Sequence, residues 1–344
     1  MTSRGKRPHF TRLLALALIA LPLLAVGCRL IDYPQSTLNP QSDYAWSIQH
    51  LLNQLVFWVV VIFVLVQGLL IFAVMRFRSR PGAPEPKPVH GNTALEIGWT
   101  IAPALILLLV AVPTVTAIFK TQGKPPADAM TIKVVGHQWW WEFQYPELGI
   151  TTADEMHVPV GKAIAIQLET ADVIHSFWFP SMGGKRDVVP ARTNHMFFTA
   201  DSLGTFPGQC AELCGLSHAN MRMKLMVERP EDFERWAQQQ KAAPFEPDST
   251  TPAGAGKLLF SQSACIGCHT IQGVSEGIIG PNLTHVGSRT TLAGGILPNT
   301  PEAMAKWITD APAMKPGSLM PNLAGLGISA EQVPALVAYL QSLK

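Results

Sequence analysis

Two short motifs in this chain hold four of its five cysteines, and both motifs could bind a metal or a metal cofactor. Cys210 and Cys214 are followed by His218 and Met221. Thiolates select soft metals such as Cu(I), zinc or iron–sulfur clusters, imidazole suits copper and zinc, and methionine is a weak axial copper ligand. Two thiolates on one loop can bridge a pair of metal ions. A disulfide or a zinc site is the alternative, but zinc does not call for a methionine. The residue types therefore favour copper.

The second motif is Cys265-Ile266-Gly267-Cys268-His269. This pattern is the attachment signature of c-type haem, in which the two cysteines form thioethers and the histidine is the proximal iron ligand. A thioredoxin-like redox pair is the alternative, and it would need a βαβ pattern that the surrounding sequence lacks. A copper site and a haem in one chain, with no evident substrate pocket, indicate electron transfer.

The distal iron ligand should be a methionine or histidine further along the chain. Four side chains compete for this position: Met304, Met314, Met320 and His285. Met304 falls within a predicted amphipathic helix, where it suits the core. The segment 315–323 resembles the loop that presents the axial methionine in small cytochromes c, so Met320 is predicted and Met314 is the second choice. Gly280-Pro281-Asn282-Leu283 resembles the loop that supports the proximal histidine in the same proteins.

The elements that position these motifs begin with two membrane helices. The segments 55–75 and 97–119 carry no charged residue, and each is long enough to cross a bilayer. Pro103 and Pro113 are tolerated in a membrane helix when neighbouring groups satisfy the freed carbonyls. We predict transmembrane helices over 51–76 and 95–120. The loop 77–94 and its flank are rich in arginine and lysine, so the loop should be cytoplasmic and the rest of the chain should lie outside.

The N-terminus is typical of an export signal. Four basic residues precede an apolar run that is short for a membrane span, which predicts a signal peptide over 1–27 and an external segment over 28–50. Small residues before Cys28 resemble a bacterial lipoprotein cleavage site, so Cys28 is a lipidation candidate. An ordinary signal peptide with an incidental cysteine is the alternative. Charged residues make up 15% of the chain and the net charge is +2, so nothing indicates nucleic acid binding.

Alternating polar and apolar residues predict a domain of β-strands over 128–240, closed by a helix near 231–240. We expect a small antiparallel sandwich or barrel. His175 lies in an apolar strand pattern of this domain and is the best second imidazole, although it could also be a hydrogen-bonded core histidine. The stretch 241–253 is rich in Pro, Ala, Ser and Thr and predicts a linker. The residue pattern over 254–344 predicts helices.

This constellation resembles subunit II of haem–copper cytochrome c oxidases. The resemblance implies a dinuclear CuA copper centre on a cupredoxin-like barrel, with ligands drawn from His175, Cys210, Glu212, Cys214, His218 and Met221. It implies that the Glu212 carbonyl binds copper and that its side chain reaches a magnesium or manganese ion at the border with subunit I. It also makes Trp139, in the stretch 136–141, the residue that takes electrons from an external donor. Packing within the barrel is the alternative for these aromatic residues.

The resulting fold prediction is a multi-domain chain: a two-helix transmembrane hairpin, an all-β cupredoxin-like barrel and an all-α cytochrome c domain. The implied function is that of a terminal oxidase subunit in a bacterial inner membrane, with both redox domains on the periplasmic side. Electrons would pass from cytochrome c or another donor to the haem, then to CuA and to subunit I, where oxygen is reduced and protons are pumped. Subunits I and III are the implied partners.

A nitric oxide reductase subunit and a membrane-tethered electron shuttle are the alternative functions. The stretch Glu96-Ile97-Gly98-Trp99-Thr100 resembles the start of the second helix in the oxidase family, where a glutamate lies near a proton channel, and so favours the oxidase. Glu96 is therefore a proton-path candidate. Its alternative is a solvated carboxylate at a helix start, which is favourable beside the N-terminal end of the helix dipole.

Overall fold

The computed structural model describes residues 33–79, 81, 82, 84, 85, 88 and 90–344. The predicted signal peptide and the lipidation candidate Cys28 lie outside the described residues. So do two of the basic residues of the predicted cytoplasmic loop, Arg80 and Lys87.

Two long helices form the membrane part: α1 (Asp43–Arg76) and α2 (Thr93–Gln122). Helix α1 begins at Asp43 rather than at the predicted residue 51, because the Ser42 side chain accepts a hydrogen bond from the Ala45 amide and caps the helix there. Asn92 caps α2 in the same way, through the Leu95 amide. The protein buries none of the apolar stretch of either helix, so both present hydrocarbon side chains outward, as membrane helices do.

The outer end of α1 is fixed to the domain that follows. Ser42 Oγ donates to the Met182 carbonyl (2.7 Å), and Trp46 Nε1 donates to Asp201 Oδ2 (2.8 Å). The Tyr44 ring packs on Gly183, whose φ of +145° and lack of a side chain allow the approach: a Cβ there would lie 2.7 Å from Tyr44 Cδ1. These contacts hold the membrane helix and the domain in one arrangement.

The β domain (residues 130–241) consists of two five-stranded sheets packed face to face. The strands are β1 (Met130–His137), β2 (Trp140–Tyr145), β3 (Ile150–Ala153), β4 (Glu155–Pro159), β5 (Ala163–Thr170), β6 (His175–Trp178), β7 (Arg186–Val188), β8 (Asn194–Thr199), β9 (Gly204–Cys210) and β10 (Arg222–Glu228). One sheet has the order β3-β2-β1-β5-β8 and the other β4-β10-β9-β6-β7. Alternate residues of the strands, such as Ile132 and Val134, are buried between the sheets.

The strand pairing corrects one prediction. The sandwich is not wholly antiparallel, because β1 pairs with β5 and β4 pairs with β10 in parallel. Both pairs join strands that are not consecutive in the sequence, so a long connection replaces the hairpin turn that antiparallel neighbours use. Helix α3 (Pro230–Lys241) then packs Phe233 and Ala237 onto the same core.

The C-terminal domain (residues 252–344) is built from short helices around its own apolar core. They are α4 (Pro252–Gln262), α5 (Cys265–Cys268), α6 (Pro301–Thr309), α7 (Ala311–Met314), α8 (Leu323–Leu326) and α9 (Val333–Ser342). Two small antiparallel ribbons accompany them: β11 (Thr270–Ile271) with β12 (Ser275–Glu276), and β13 (Thr291–Leu292) with β14 (Leu297–Pro298). Helices α4 and α9 cross closely at Gly256, where a side chain would run into the Ala335 carbonyl, and Phe260 packs edge-on against Tyr339 beside that crossing.

Candidate functional site

Strand pairing brings the candidate copper ligands together. Cys210 ends β9 and pairs across the sheet with Phe177 of β6, the strand that begins at His175. The chain then loops through Cys214 into a short 3₁₀ turn at His218–Asn220 and reaches Met221 just before β10. The histidine that is distant in sequence therefore lies directly beside the loop that carries the two thiols.

The donor atoms fall into two groups, one around each sulfur. Cys210 Sγ lies 3.9 Å from His175 Nδ1 and 3.2 Å from the Glu212 carbonyl oxygen. Cys214 Sγ lies 3.5 Å from His218 Nδ1 and 3.8 Å from Met221 Sδ. The two sulfur atoms are 3.7 Å apart. Each sulfur thus has one imidazole and one weaker donor, which is an arrangement that suits two metal ions sharing both thiolates.

The chemistry of this site favours a soft metal over a disulfide. A disulfide needs sulfur atoms about 2.05 Å apart, and both cysteines are free and buried. A hydrogen bond from Cys214 lowers the pKa of Cys210 to about 3, and the same bond raises the pKa of Cys214. The contact between the two sulfur atoms therefore favours a thiolate at Cys210. Thiolate, imidazole and thioether together form the donor set that copper prefers.

One further residue of this site was missed by the sequence analysis. Asp172 Oδ1 lies 2.7 Å from His175 Nε2, which leaves Nδ1 directed at Cys210, and Asp172 Oδ2 accepts from the Gln138 amide (2.6 Å). Burial alone would lower the pKa of His175, but its hydrogen bonds with Asp172 and Cys210 outweigh burial and raise it. Metal-binding histidines commonly donate their other ring nitrogen to a carboxylate, and the aspartate three residues before the candidate histidine was the available signal.

The c-type motif lies on the wall of a cavity at the junction of the two domains. Cys265, Cys268 and His269 line one part of it, and Met320 lines another. The His269 Nδ1 lies 2.8 Å from the Pro281 carbonyl, so that nitrogen donates its proton and Nε2 is free to bind iron. Burial lowers the pKa of His269, which favours the neutral ring that a metal ligand needs.

The shape and charge of this cavity fit a haem. At Gly280 a Cβ would lie 2.6 Å from His269 Cε1, so only glycine leaves the ring in place. The Arg289 side chain lines the cavity, and its buried Nε has no hydrogen-bond partner among the described residues. Buried polar groups in native proteins are normally paired. A cation with an unpaired donor in the cavity wall suits a group that carries carboxylates, as haem does.

The candidates for the distal ligand are placed differently. Met320 and Met304 both line the cavity, but Met304 Sδ accepts from Gln341 Nε2 at 3.8 Å and the residue is buried in the core. Met314 and His285 are not among the described residues that line it. His285 Nδ1 instead lies 3.1 Å from the Lys344 carbonyl. The arrangement favours Met320.

Trp139 connects the cavity to the thiolate loop. Its indole Nε1 donates to the Cys214 carbonyl (3.0 Å), and Gln138 Nε2 donates to the same oxygen (2.6 Å). The ring also lines the cavity and packs on Gly317 of the C-terminal domain, where a Cβ would lie 2.5 Å from Trp139 Cη2. Trp139 is only 7% exposed. The C-terminal domain covers Trp139, so in this arrangement the ring faces that domain.

Two glutamates expected to act at the border with other subunits have exposed side chains. Glu212 contributes its carbonyl to the thiolate loop and leaves its carboxylate exposed. Glu96 turns back onto its own helix, where its Oε1 accepts from the Asn92 amide (3.2 Å). Within this chain the contact caps α2, as is expected of a solvated carboxylate at a helix start.

Three sequence families match the chain in succession. They are described as cytochrome c oxidase subunit II, transmembrane domain (residues 37–117), cytochrome c oxidase subunit II, periplasmic domain (148–228), and cytochrome c (253–344). Cytochrome c oxidase subunit 2 of Alkalihalophilus pseudofirmus is 39% identical over 336 residues, which are 96% of either chain. The same-named protein of Bacillus subtilis is 34% identical over 358 residues, with 98% of each chain covered.

The chain is also similar to a solved structure over part of its length. It is the periplasmic domain of subunit II of cytochrome oxidase (CoxB) of Bradyrhizobium japonicum, which is 37% identical and covers 34% of this chain and 96% of its own length, with a TM-score of 0.33.

Proposed function

The chain belongs to the cytochrome c oxidase subunit II family and has a cytochrome c domain at its C-terminal end. We propose that it carries electrons through a copper centre and a haem. It is a membrane protein with a periplasmic domain and a component of an oxidoreductase complex. The family implies copper, and the cytochrome c domain implies haem.

We assign the copper ligands from this set of donors. The thiolates of Cys210 and Cys214 would be shared by two copper ions, and His175, His218, Met221 and the Glu212 carbonyl would complete their coordination. Copper shared in this way supplies fast one-electron exchange. The protein holds the donors on β-strands and one short loop, which limits rearrangement when the charge changes.

For the haem we assign Cys265 and Cys268 as attachment residues, His269 as proximal ligand and Met320 as distal ligand. The observation that carries the proposal is the position of Trp139, whose ring lines the cavity while its Nε1 donates to the Cys214 carbonyl. Electrons would pass from the haem through Trp139 to the thiolate loop. An external donor, cytochrome c or another protein, would then reduce the haem rather than the copper.

The family supports subunits I and III as the partners that we propose and a bacterial inner membrane as the location. The small residues before Cys28 support its lipidation, which we also propose. The exposed carboxylate of Glu212 is free to bind magnesium or manganese at a border with subunit I. The domain boundaries at 128–240 and 254–344, separated by a linker, belong to the same proposal.

The copper assignment predicts two copper ions per full-length chain in detergent and an EPR spectrum of a mixed-valence pair. Cys210→Ser and Cys214→Ser should each abolish that spectrum, since each sulfur contacts both metal positions. Met221→Leu should alter it. The matched control is Met223→Leu, a buried methionine two residues further on that should leave the spectrum unchanged. A protein that binds one zinc ion and no copper after copper loading would contradict the assignment.

A further inference from the structure

Charged side chains from both domains are buried where the C-terminal domain meets the β domain. Asp154 and Glu155 come from the β domain and are 5% and 2% exposed. Lys315 comes from the C-terminal domain and is 4% exposed. Buried charges are costly unless they are paired or fully hydrogen-bonded, so the partners of these three groups show what holds the domains together.

Lys315 binds one backbone carbonyl in each domain. Its Nζ donates to the Trp139 oxygen (2.5 Å) and to the Ala293 oxygen (2.8 Å). Asp154 makes the matching connection from the other side: Oδ1 accepts from the Trp141 amide (3.0 Å) and Oδ2 from the Gly294 amide (3.1 Å). The backbone on both sides of Trp140 is thereby tied to residues 293 and 294.

Glu155 adds a second connection. Its carboxylate accepts hydrogen bonds from the Thr290 and Thr291 amides, at 2.9 and 2.8 Å, and from both threonine hydroxyls. All four donors belong to the C-terminal domain. Separating the domains would leave this carboxylate without them, so the docked arrangement is the one that satisfies the buried charges.

Lys315 also lies on the segment that reaches the redox groups. Gly317, two residues on, packs against the Trp139 ring, and Met320, three residues further, lines the cavity. The Ser217 hydroxyl, on the thiolate loop, donates to the Pro316 carbonyl (2.7 Å). One short segment thus contacts Trp139, the thiolate loop and the cavity.

We propose that Lys315 is a positioning residue for electron transfer between the two centres: by binding the Trp139 carbonyl it fixes the Trp139 ring, and with it the copper loop, at a set distance from the haem. This inference rests on the proposed function, because it assumes that electrons pass from the C-terminal domain to the β domain. Lys315 acts through Trp139 and through the docking of its own segment, and does not touch the copper ligands.

The test uses the full-length protein with both cofactors bound. In Lys315→Met the haem absorption spectrum and the copper EPR spectrum should match the wild type, and both midpoint potentials are measured so that rates are compared at known driving force, because Lys315 lines the cavity. Haem-to-copper transfer, followed optically after flash reduction of the haem, should slow several-fold, because the rate of electron transfer falls as the two centres move apart. Lys306→Met, an exposed lysine of the same domain, should transfer at the wild-type rate.

A second variant shows whether Lys315 acts by positioning Trp139 or only by compensating the charge of Asp154. Lys315→Met removes a positive charge that acts on the buried Asp154 carboxylate, whereas Lys315→Met combined with Asp154→Asn removes both charges. If Lys315 positions Trp139, transfer in the double variant should stay slow. Recovery of the wild-type rate in the double variant, or an unchanged rate in Lys315→Met, would overturn the inference. Absence of haem-to-copper transfer in the wild type would instead refute the proposed function itself.

Discussion

At the scale of single residues, Asp172 decides which nitrogen of His175 faces the thiolates. Its carboxylate holds Nε2, so Nδ1 points at Cys210. The carboxylate in turn is held by the Gln138 amide, next to Trp139. The orientation of His175, the proposed copper ligand, and the position of Trp139, the proposed path to the haem, are therefore coupled through the Asp172 side chain.

The Asp172 contact gives a prediction for copper affinity. Asp172→Asn should weaken copper binding by about 10- to 100-fold, the usual effect of removing the outer partner of a metal-binding histidine. Competition with a copper chelator, followed by the EPR signal, measures the change. Asp187→Asn, an exposed aspartate on β7, is the control. Equal copper retention in the two variants would show that Asp172 does not support the ligand.

The residues that could be predicted from the sequence are those whose partners are close along the chain. Cys210, Cys214, His218 and Met221 lie in one loop, so their spacing already places their donor atoms together. Lys315 and Glu155 were missed because their partners lie in another domain, whereas Asp172 lies only three residues from His175 and that spacing was overlooked. An ordinary aspartate or lysine gives no sign in the sequence of being buried.

At the scale of elements, the segment between α7 and α8 carries the distal side of the cavity. Lys315 fixes its start and Met320 lines the cavity near its end, while Met314 lies at the end of α7 and outside the cavity lining. Anchoring of this segment explains why Met320 is available as a ligand.

This segment gives a prediction for the haem spectrum. Met320→Ala should keep covalent haem but lose the sulfur-to-iron charge-transfer band of the oxidised protein, because the thioether ligand is removed. Met314→Ala, the matched control, should keep the band. Loss of the band in Met314→Ala and not in Met320→Ala would assign the ligand to Met314. Retention in both variants would direct attention to His285.

Element types were easier to predict than their pairing. Uncharged apolar runs identified α1 and α2, and polar–apolar alternation identified strands such as β1 and β5. The parallel pairing of these two strands was not predicted, because alternation shows which face of a strand is buried and not which strand lies beside it. The Ser42 cap at which α1 begins lies ahead of the apolar run that predicted the membrane span.

At the scale of the whole molecule, the docked domains make electron delivery to copper an event within one chain. Docking removes the encounter step between haem and copper. Charges buried in the interface are screened by salt far less than charges on a surface. The rate of electron transfer from the external donor to the haem should therefore depend on ionic strength. The rate of transfer from the haem to the copper should not.

Glu96 gives a prediction for the assembled complex. Glu96→Gln removes the charge but keeps an oxygen that can accept from the Asn92 amide, so the helix cap should survive. If Glu96 helps to load protons, the variant should slow steady-state oxygen reduction and leave haem-to-copper transfer unchanged. Glu85→Gln in the loop is the control. Wild-type turnover across the working pH range, with normal assembly, would leave Glu96 as a capping residue alone.

Helix α1 extends well beyond the bilayer before it meets the β domain. Its 34 residues span about 51 Å at 1.5 Å per residue, whereas the hydrocarbon core is about 30 Å thick. One residue inserted after Trp46 would raise the β domain by only about 1.5 Å but would turn the surface that grips Gly183 by about 100° around the helix axis. The length of α1 therefore affects the rotation of the copper loop about the membrane normal, and so the side that faces its partner subunits, far more than it affects the height of that loop above the membrane.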